Sequence, residues 1–170
     1  MRPNLTRANR PCTGCLLLAA AVMLGDQLSK QAVYARLAEQ SVEVLPFLRF
    51  ALGFNRGAAF GLLSDAGGWQ HYLFVGIAGA VSLALFIWLL RVPSRGALLS
   101  LGLALVLGGA LGNLIDRISH RYVIDFIVLH WGGWQFPAFN LADGAITLGA
   151  AALMIDILRG DGGDARHRQR

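Results

Sequence analysis

Trp69-Gln70-His71-Tyr72-Leu73-Phe74-Val75-Gly76-Ile77-Ala78-Gly79-Ala80-Val81-Ser82-Leu83-Ala84-Leu85-Phe86-Ile87-Trp88-Leu89-Leu90 contains no Asp, Glu, Lys or Arg. An uncharged apolar run of this length matches the ~20 residues that a helix needs to cross the hydrocarbon of a bilayer. Three similar segments flank it. The first runs from Thr13 to Tyr34, with Asp26 and Lys30 near its far end. The third runs from Gly96 to Ile115 without charge. The fourth runs from about Asn140 to Leu158, with Asp143 near its start and Asp156 near its end. The pattern predicts an α-helical integral membrane protein: a four-transmembrane-helix bundle.

Composition agrees. Hydrophobic residues make up 55% of the 170 and charged residues 15%, a balance that fits a membrane protein better than a soluble one. The net charge of +5 does not indicate nucleic acid, because the basic residues flank apolar segments and no aromatic-basic surface is legible. Arg2, Arg7 and Arg10 precede the first segment, Arg91 and Arg95 lie between the second and third, and Arg159, Arg166, Arg168 and Arg170 follow the fourth. If four helices span, all three groups share one side, which is then cytoplasmic. Both termini are expected there, and the segments of roughly 35–68 and 116–139 outside. No small-x-small site closes the first apolar run, so it reads as an uncleaved membrane helix. A single domain is expected over 1–160, with a disordered cytoplasmic tail over 161–170.

The outward segments are not plain linkers. Leu45 to Phe54 is apolar and partly alternating. Arg121 to Trp131 is rich in β-branched and aromatic residues, and Gly132-Gly133 separates it from Trp134-Gln135-Phe136. This reads as a β-hairpin. It predicts a small β-rich extracytoplasmic subdomain lying on the outer membrane surface, with Trp69, Trp131 and Trp134 in the interfacial belt.

The polar clusters all fall at one predicted depth, near the outer boundary. They are Asp26, Ser29 and Lys30; Asn55-Arg56-Gly57; Asn113, Asp116 and Arg117; and Asn140 with Asp143. An ionisable residue in an apolar segment marks a functional site with a nearby partner. Asp26 and Lys30 are spaced to pair along one helix, and Asn113, Asp116 and Arg117 to share one face. Gly108 and Gly112 form a small-xxx-small pattern that reads as close helix packing. Asn140 can cap the fourth helix, with Asp143 in its first turn, where free N–H groups favour the carboxylate. Asp125, set among Ile124, Phe126 and Ile127, has its charged form disfavoured by desolvation. Two carboxyls in unequal surroundings are the minimal equipment for acid–base hydrolysis by a pair sharing one proton.

Other chemistries lack their patterns. His71, His120, His130 and His167 show no metal spacing, the absence of Gly-x-Ser-x-Gly disfavours a serine-elbow hydrolase, and hydrolysis by a carboxyl pair needs no metal or cofactor. Cys12 and Cys15 have neither a second CxxC nor a βαβ context, and read as two small residues at a membrane entry. A small ion-coupled transporter using Asp, Lys and Arg as a relay is the alternative reading, but the inverted repeat that would support it is not evident.

Five stretches, in order, resemble one family: Asp26-Gln27-Leu28-Ser29-Lys30, Asn55-Arg56-Gly57-Ala58-Ala59-Phe60, Gly108 through Arg117, Val123-Ile124-Asp125-Phe126, and Phe136 through Asp143. The chain resembles lipoprotein signal peptidase (signal peptidase II), a bacterial inner-membrane aspartic peptidase. The resemblance implies cleavage of diacylglyceryl-prolipoprotein just before the lipidated cysteine, near the periplasmic face and among membrane lipids. It implies Asp125 and Asp143 as the catalytic dyad. Asn55, Gly57, Asn113, Arg117 and Asn140 would line the site, and Asp26 and Lys30 would support it. It also implies sensitivity to globomycin-type inhibitors. One departure is visible: such proteins commonly carry serine after the second catalytic aspartate, where this chain has Gly144.

Overall fold

The computed structural model describes residues 12–37, 40–57, 67–91 and 96–167, with side chains as far as Arg159. Four helices and four strands alternate in blocks: α1 (Thr13–Arg36), β1 (Val42–Leu45), β2 (Leu48–Asn55), α2 (Trp69–Arg91), α3 (Ala97–His120), β3 (Val123–Trp131), β4 (Trp134–Gln135) and α4 (Leu141–His167). Each apolar segment of the sequence falls on a helix. Among the described residues, α2, α3 and the Leu141–Arg159 part of α4 are long and apolar enough to cross a membrane. α1 is outside that group, since Asp26, Gln27 and Lys30 fall in its second half. The chain is therefore a mostly helical membrane protein with a small antiparallel sheet. The disordered tail expected over 161–170 is helical as far as His167, the end of α4, and 168–170 lie outside the described residues.

α3 touches all three other helices and is the axis of the bundle. Its glycines explain how. A Cβ on Gly108 would stand 2.6 Å from the Ala19 carbonyl of α1, and one on Gly109 2.5 Å from the Ala142 carbonyl of α4. One on Gly112 would strike the Asp26 carboxylate. Further along, Gly102 and Gly149 face each other, each within 3.0 Å of the other's carbonyl if given a side chain. Small residues let helix backbones approach where lipid supplies no hydrophobic drive for association. The apolar core proper is compact: Cys15, Ala19, Leu89, Leu103, Ala104 and Leu107. Tyr72, Leu83, Trp88, Leu148 and Ile157 are exposed, as surfaces facing lipid should be.

Two sequence expectations need correction here. Cys12 and Cys15 are not merely small: they are joined by a disulfide at the start of α1. One helical turn brings their Cα atoms to 5.2 Å, inside the range a disulfide needs. The third segment also continues past Ile115 to His120, because Asn113, Asp116 and Arg117 find polar partners inside the protein and stay helical.

The sheet has the order β1-β2-β3-β4, antiparallel throughout. Gly132 and Gly133, both at positive φ, make the expected turn between β3 and β4. After β4 the chain doubles back along β3, where Phe139 pairs with Ile127, and enters α4 one residue after Asn140. The path β3, turn, return, helix start brings positions 125 and 143 to the same place.

Candidate active site

The first half of β3 is buried almost without a break, from Val123 to Phe126, and Asp125 is 4% exposed. Its carboxylate is gripped from two sides. Asn55, at the end of β2, donates from Nδ2 to one oxygen at 3.2 Å, and Asn140 donates to the other at 2.7 Å. Burial, reinforced by the nearby Asp143, pushes its carboxyl up to about 7; the hydrogen bonds from Asn55 and Asn140 act against that.

Asp143 sits in the first turn of α4. Its backbone N–H donates to Asn140 Oδ1 at 2.9 Å, and its own Oδ2 accepts the Asn140 N–H at 3.3 Å. This reciprocal exchange satisfies two N–H groups that a helix start leaves free. Asn113 Nδ2 donates to the other oxygen, Oδ1, at 2.8 Å. Asn140 also donates to Asn113 Oδ1 at 3.2 Å and to the Ile124 carbonyl at 3.2 Å. Asn113 and Asn140 thus form a bridge with one aspartate at each end.

Beneath that bridge lies a buried ionic cluster. Lys30 Nζ is 2.7 Å from Asp26, 2.9 Å from Asp116 and 3.0 Å from Asn113 Oδ1. The other oxygen of each carboxylate reaches further. Asp26 Oδ1 accepts the backbone N–H of Ala142 at 2.9 Å. Gln27 donates to Asp116 Oδ1 at 2.8 Å, while Asp116 Oδ2 also accepts the N–H of Ile124 at 3.0 Å. Ala142 and Ile124 are the residues immediately before Asp143 and Asp125. One ammonium group therefore holds two carboxylates, and each carboxylate fixes the backbone next to one aspartate. Buried ions are tolerable only when paired and hydrogen-bonded in this way.

Arg117 turns toward the loop after β2. Its guanidinium donates to the Gly57 carbonyl at 3.3 Å and to the Asn113 carbonyl at 3.4 Å, and it lies 5.4 Å from the centre of the Phe74 ring. Gly57 in turn donates its N–H to Asn55 Oδ1 at 3.0 Å. A cavity of about 860 Å³ opens above the pair, lined by Asn55, Asn113, Arg117, Asp125 and Asp143 on its polar side.

The nine residues that the resemblance assigned to the site are thus in one connected network: Asp26, Lys30, Asn55, Gly57, Asn113, Arg117, Asp125, Asn140 and Asp143. Asn113 and Asp116 share Lys30 as a partner, and beyond it the three residues Asn113, Asp116 and Arg117 reach different elements. They fan out to α4, to α1 with β3, and to the Gly57 loop. Gln27 and the second role of Asp116 were missed. Their adjacency to Asp26 and Asn113 in the sequence was the available signal.

Such a bridged carboxyl pair, beside an open cavity and at the rim of apolar helices, can share a proton and activate water. Comparison with known proteins places the chain in a family. The family model described as signal peptidase (SPase) II matches residues 18–159. The chain is 57% identical over 115 residues to the lipoprotein signal peptidase of Acinetobacter baylyi, covering 68% of this chain and 64% of that one. It is 51% identical over 140 residues to the lipoprotein signal peptidase of Shewanella woodyi, covering 82% of this chain and 80% of that one. A solved bacterial membrane enzyme superposes with a TM-score of 0.77 at 31% identity, over 89% of this chain and 92% of the other. The family model spans most of the chain, and the chain belongs to the signal peptidase II family.

Proposed function

We propose that this protein is a membrane-embedded aspartic endopeptidase that removes the signal peptide from diacylglyceryl-modified prolipoproteins, cutting before the lipidated cysteine. The observation that carries the reading is the amide bridge from Asp125 through Asn140 and Asn113 to Asp143, at the floor of a cavity. The reaction divides between the two carboxyls. Asp143 as carboxylate takes a proton from a water, whose oxygen adds to the scissile carbonyl. Asp125, whose carboxyl is pushed up to about 7, is the proton donor that polarises the carbonyl oxygen. As the C–N bond breaks, the proton held by Asp143 passes to the departing cysteine amine. The chemistry calls for no metal or cofactor.

In this reading α1 joins α2, α3 and α4 as a fourth spanning helix of a single domain over 1–160, with 161–170 as a cytoplasmic tail. Both termini face the cytoplasm of a bacterial inner membrane. The sheet lies on the periplasmic face, where water can reach the carboxyls. The arginine distribution supports that orientation, and exposed Trp69, Trp131 and Trp134 support a sheet resting at the interface. Membrane lipids and globomycin-type cyclic peptides are the further partners. The transporter reading has no comparable support: Asp26 and Lys30 close on Asp116, Asn113 and backbone N–H groups rather than forming an open relay.

The test is cleavage by the purified protein of a prolipoprotein with and without its diacylglyceryl group. Processing of the lipidated form alone is expected. No cleavage of either form, or equal cleavage of both, would overturn the assignment.

A further inference from the structure

Both cysteines of the chain stand at the start of α1, about three turns of helix before Asp26, and the carboxyl site makes no use of them. They precede the stretch 18–159 that the family model matches. Cys12 is the N-cap residue, Cys15 lies in the first turn, and their sulfurs are bonded. The bond does little for the fold. It spans one turn that the backbone already closes, since the N–H groups of Cys15 and Leu16 donate to the Cys12 carbonyl at 2.9 and 3.1 Å. It ties α1 to no other element. A disulfide stabilises least where it closes a short loop, and only Thr13 and Gly14 lie between these cysteines.

The placement of the pair suits reaction instead. Cys12 is partly exposed, and Thr13 and Gly14 beside it are exposed. Cys15 is buried in the apolar core with Ala19 and Leu89. A Cβ on Gly14 would meet nothing within 4 Å, so among the described residues the approach is open. One sulfur is therefore reached from outside, and the other only through it. A βαβ setting serves such pairs by putting them at a helix start, where the positive end of the dipole stabilises a thiolate. α1 supplies that start here. No acidic residue stands in its first turn, and Arg7 and Arg10 precede it in the sequence. In the orientation proposed above, this end of α1 faces the cytoplasm. Thiols there keep cysteines reduced, and the disulfides that do form are as a rule transient, catalytic or redox-sensing.

We propose that Cys12 and Cys15 form a thiol–disulfide exchange site whose partner is a cytoplasmic dithiol. One thiolate of the dithiol attacks Cys12 Sγ. The Cys12–Cys15 bond breaks, a mixed disulfide forms at Cys12, and Cys15 leaves as a thiolate that takes up a proton. The partner's second thiolate then attacks the partner sulfur of the mixed disulfide and displaces the Cys12 thiolate, which is protonated in turn. The partner ends as a disulfide and the pair as two thiols, with two electrons and two protons transferred. The choice of partner rests on the orientation given under the proposed function, and not on the peptidase chemistry.

The test uses the full chain in lipid nanodiscs, with thiols counted by a maleimide mass tag. Dithiothreitol should reduce the folded protein within about 10-fold of the rate for the protein unfolded in denaturant, because access governs exchange. A thioredoxin lacking its buried cysteine should be trapped on Cys12, as read by peptide mass mapping. In growing cells quenched with acid, the pair should be reduced, should close under diamide, and should reopen once diamide is removed. Slower reduction of the folded protein, trapping on Cys15, or a bond that stays closed in growing cells overturns the site. In spheroplasts, a membrane-impermeant maleimide should leave the reduced pair unlabelled until the membrane is opened. Labelling from outside overturns the cytoplasmic partner by reversing the orientation. Cleavage of a lipidated substrate is measured alongside, and its absence sinks the peptidase reading while the exchange site stands.

Discussion

Replacing Asp125 by asparagine should destroy activity and yet make the protein more stable at alkaline pH. In the folded protein the Asp125 carboxyl is pushed up from 3.8 to about 7, chiefly by burial and then by Asp143. Between those values the folded state binds more protons than the unfolded state, so stability falls as pH rises. The stabilisation is fully present below pH 3.8 and is lost as pH passes through about 7. A displacement of about 3 units at about 1.4 kcal/mol each amounts to about 4 kcal/mol, of which roughly 3 kcal/mol falls between pH 5 and pH 8. Asparagine carries no such dependence. It does place an NH2 against the Asn55 Nδ2 that now donates to Asp125, which costs about 1 kcal/mol at every pH. Melting of purified wild type and Asp125→Asn should therefore give a difference that moves in the variant's favour by up to roughly 6–12 °C between pH 5 and pH 8. An unchanged difference across that range would refute the reasoning, because it would mean that Asp125 ionises as freely in the fold as in water.

For catalysis, Asp125→Asn and Asp143→Asn should each lower cleavage of a lipidated substrate by about 10³-fold or more, and the double variant little further, since a unit fails with one member; near-normal cleavage by either single variant sinks the dyad. Lys30→Met leaves two fully buried carboxylates, Asp26 and Asp116, without their cation, and should cost about 3–5 kcal/mol, read as a large drop in melting temperature; a wild-type melt contradicts the cluster's role. Arg117→Lys keeps the charge but loses the fork that reaches the carbonyls of Gly57 and Asn113, and activity should fall about 10-fold; lysine serving as well as arginine would leave only a general electrostatic role. For topology, a reporter active only in the periplasm should work when fused after Asp65 or Gly133 and fail after Gly96 or Arg170, and the reverse pattern would put the dyad on the wrong face.

Much of this was legible from the chain because membrane burial makes polar residues conspicuous. Asp26, Lys30, Asn113, Asp125, Asn140 and Asp143 stand out against apolar neighbours, and all of them fall in one network. The hairpin at Gly132-Gly133 was legible because few other residues adopt the turn. The end of α3 was not: hydropathy stops at Ile115, whereas the helix runs to His120 on hydrogen bonds from partners distant in sequence. Nor could spacing show that Asp116 reaches the N–H of Ile124, or Asp26 that of Ala142. Those contacts depend on how β3 settles against α3 and α4 against α1, which no local pattern encodes. The Cys12–Cys15 bond likewise follows from one turn of backbone rather than from any motif.

The ammonium of Lys30 and its two carboxylates have a consequence for how a hydrolase can be built safely inside a membrane. Lys30 and Asp26 belong to the first helix synthesised, Asp116 to the third, and the backbone sites they fix to β3 and to the last helix. While synthesis is under way, Asp125 lacks the donor Asn140, and the first helix has nothing for Asp26 to hold. On the proposed function, competence arrives only when the final helix docks, and a half-finished chain spares the proteins around it. Cleavage activity is then a readout of completed assembly.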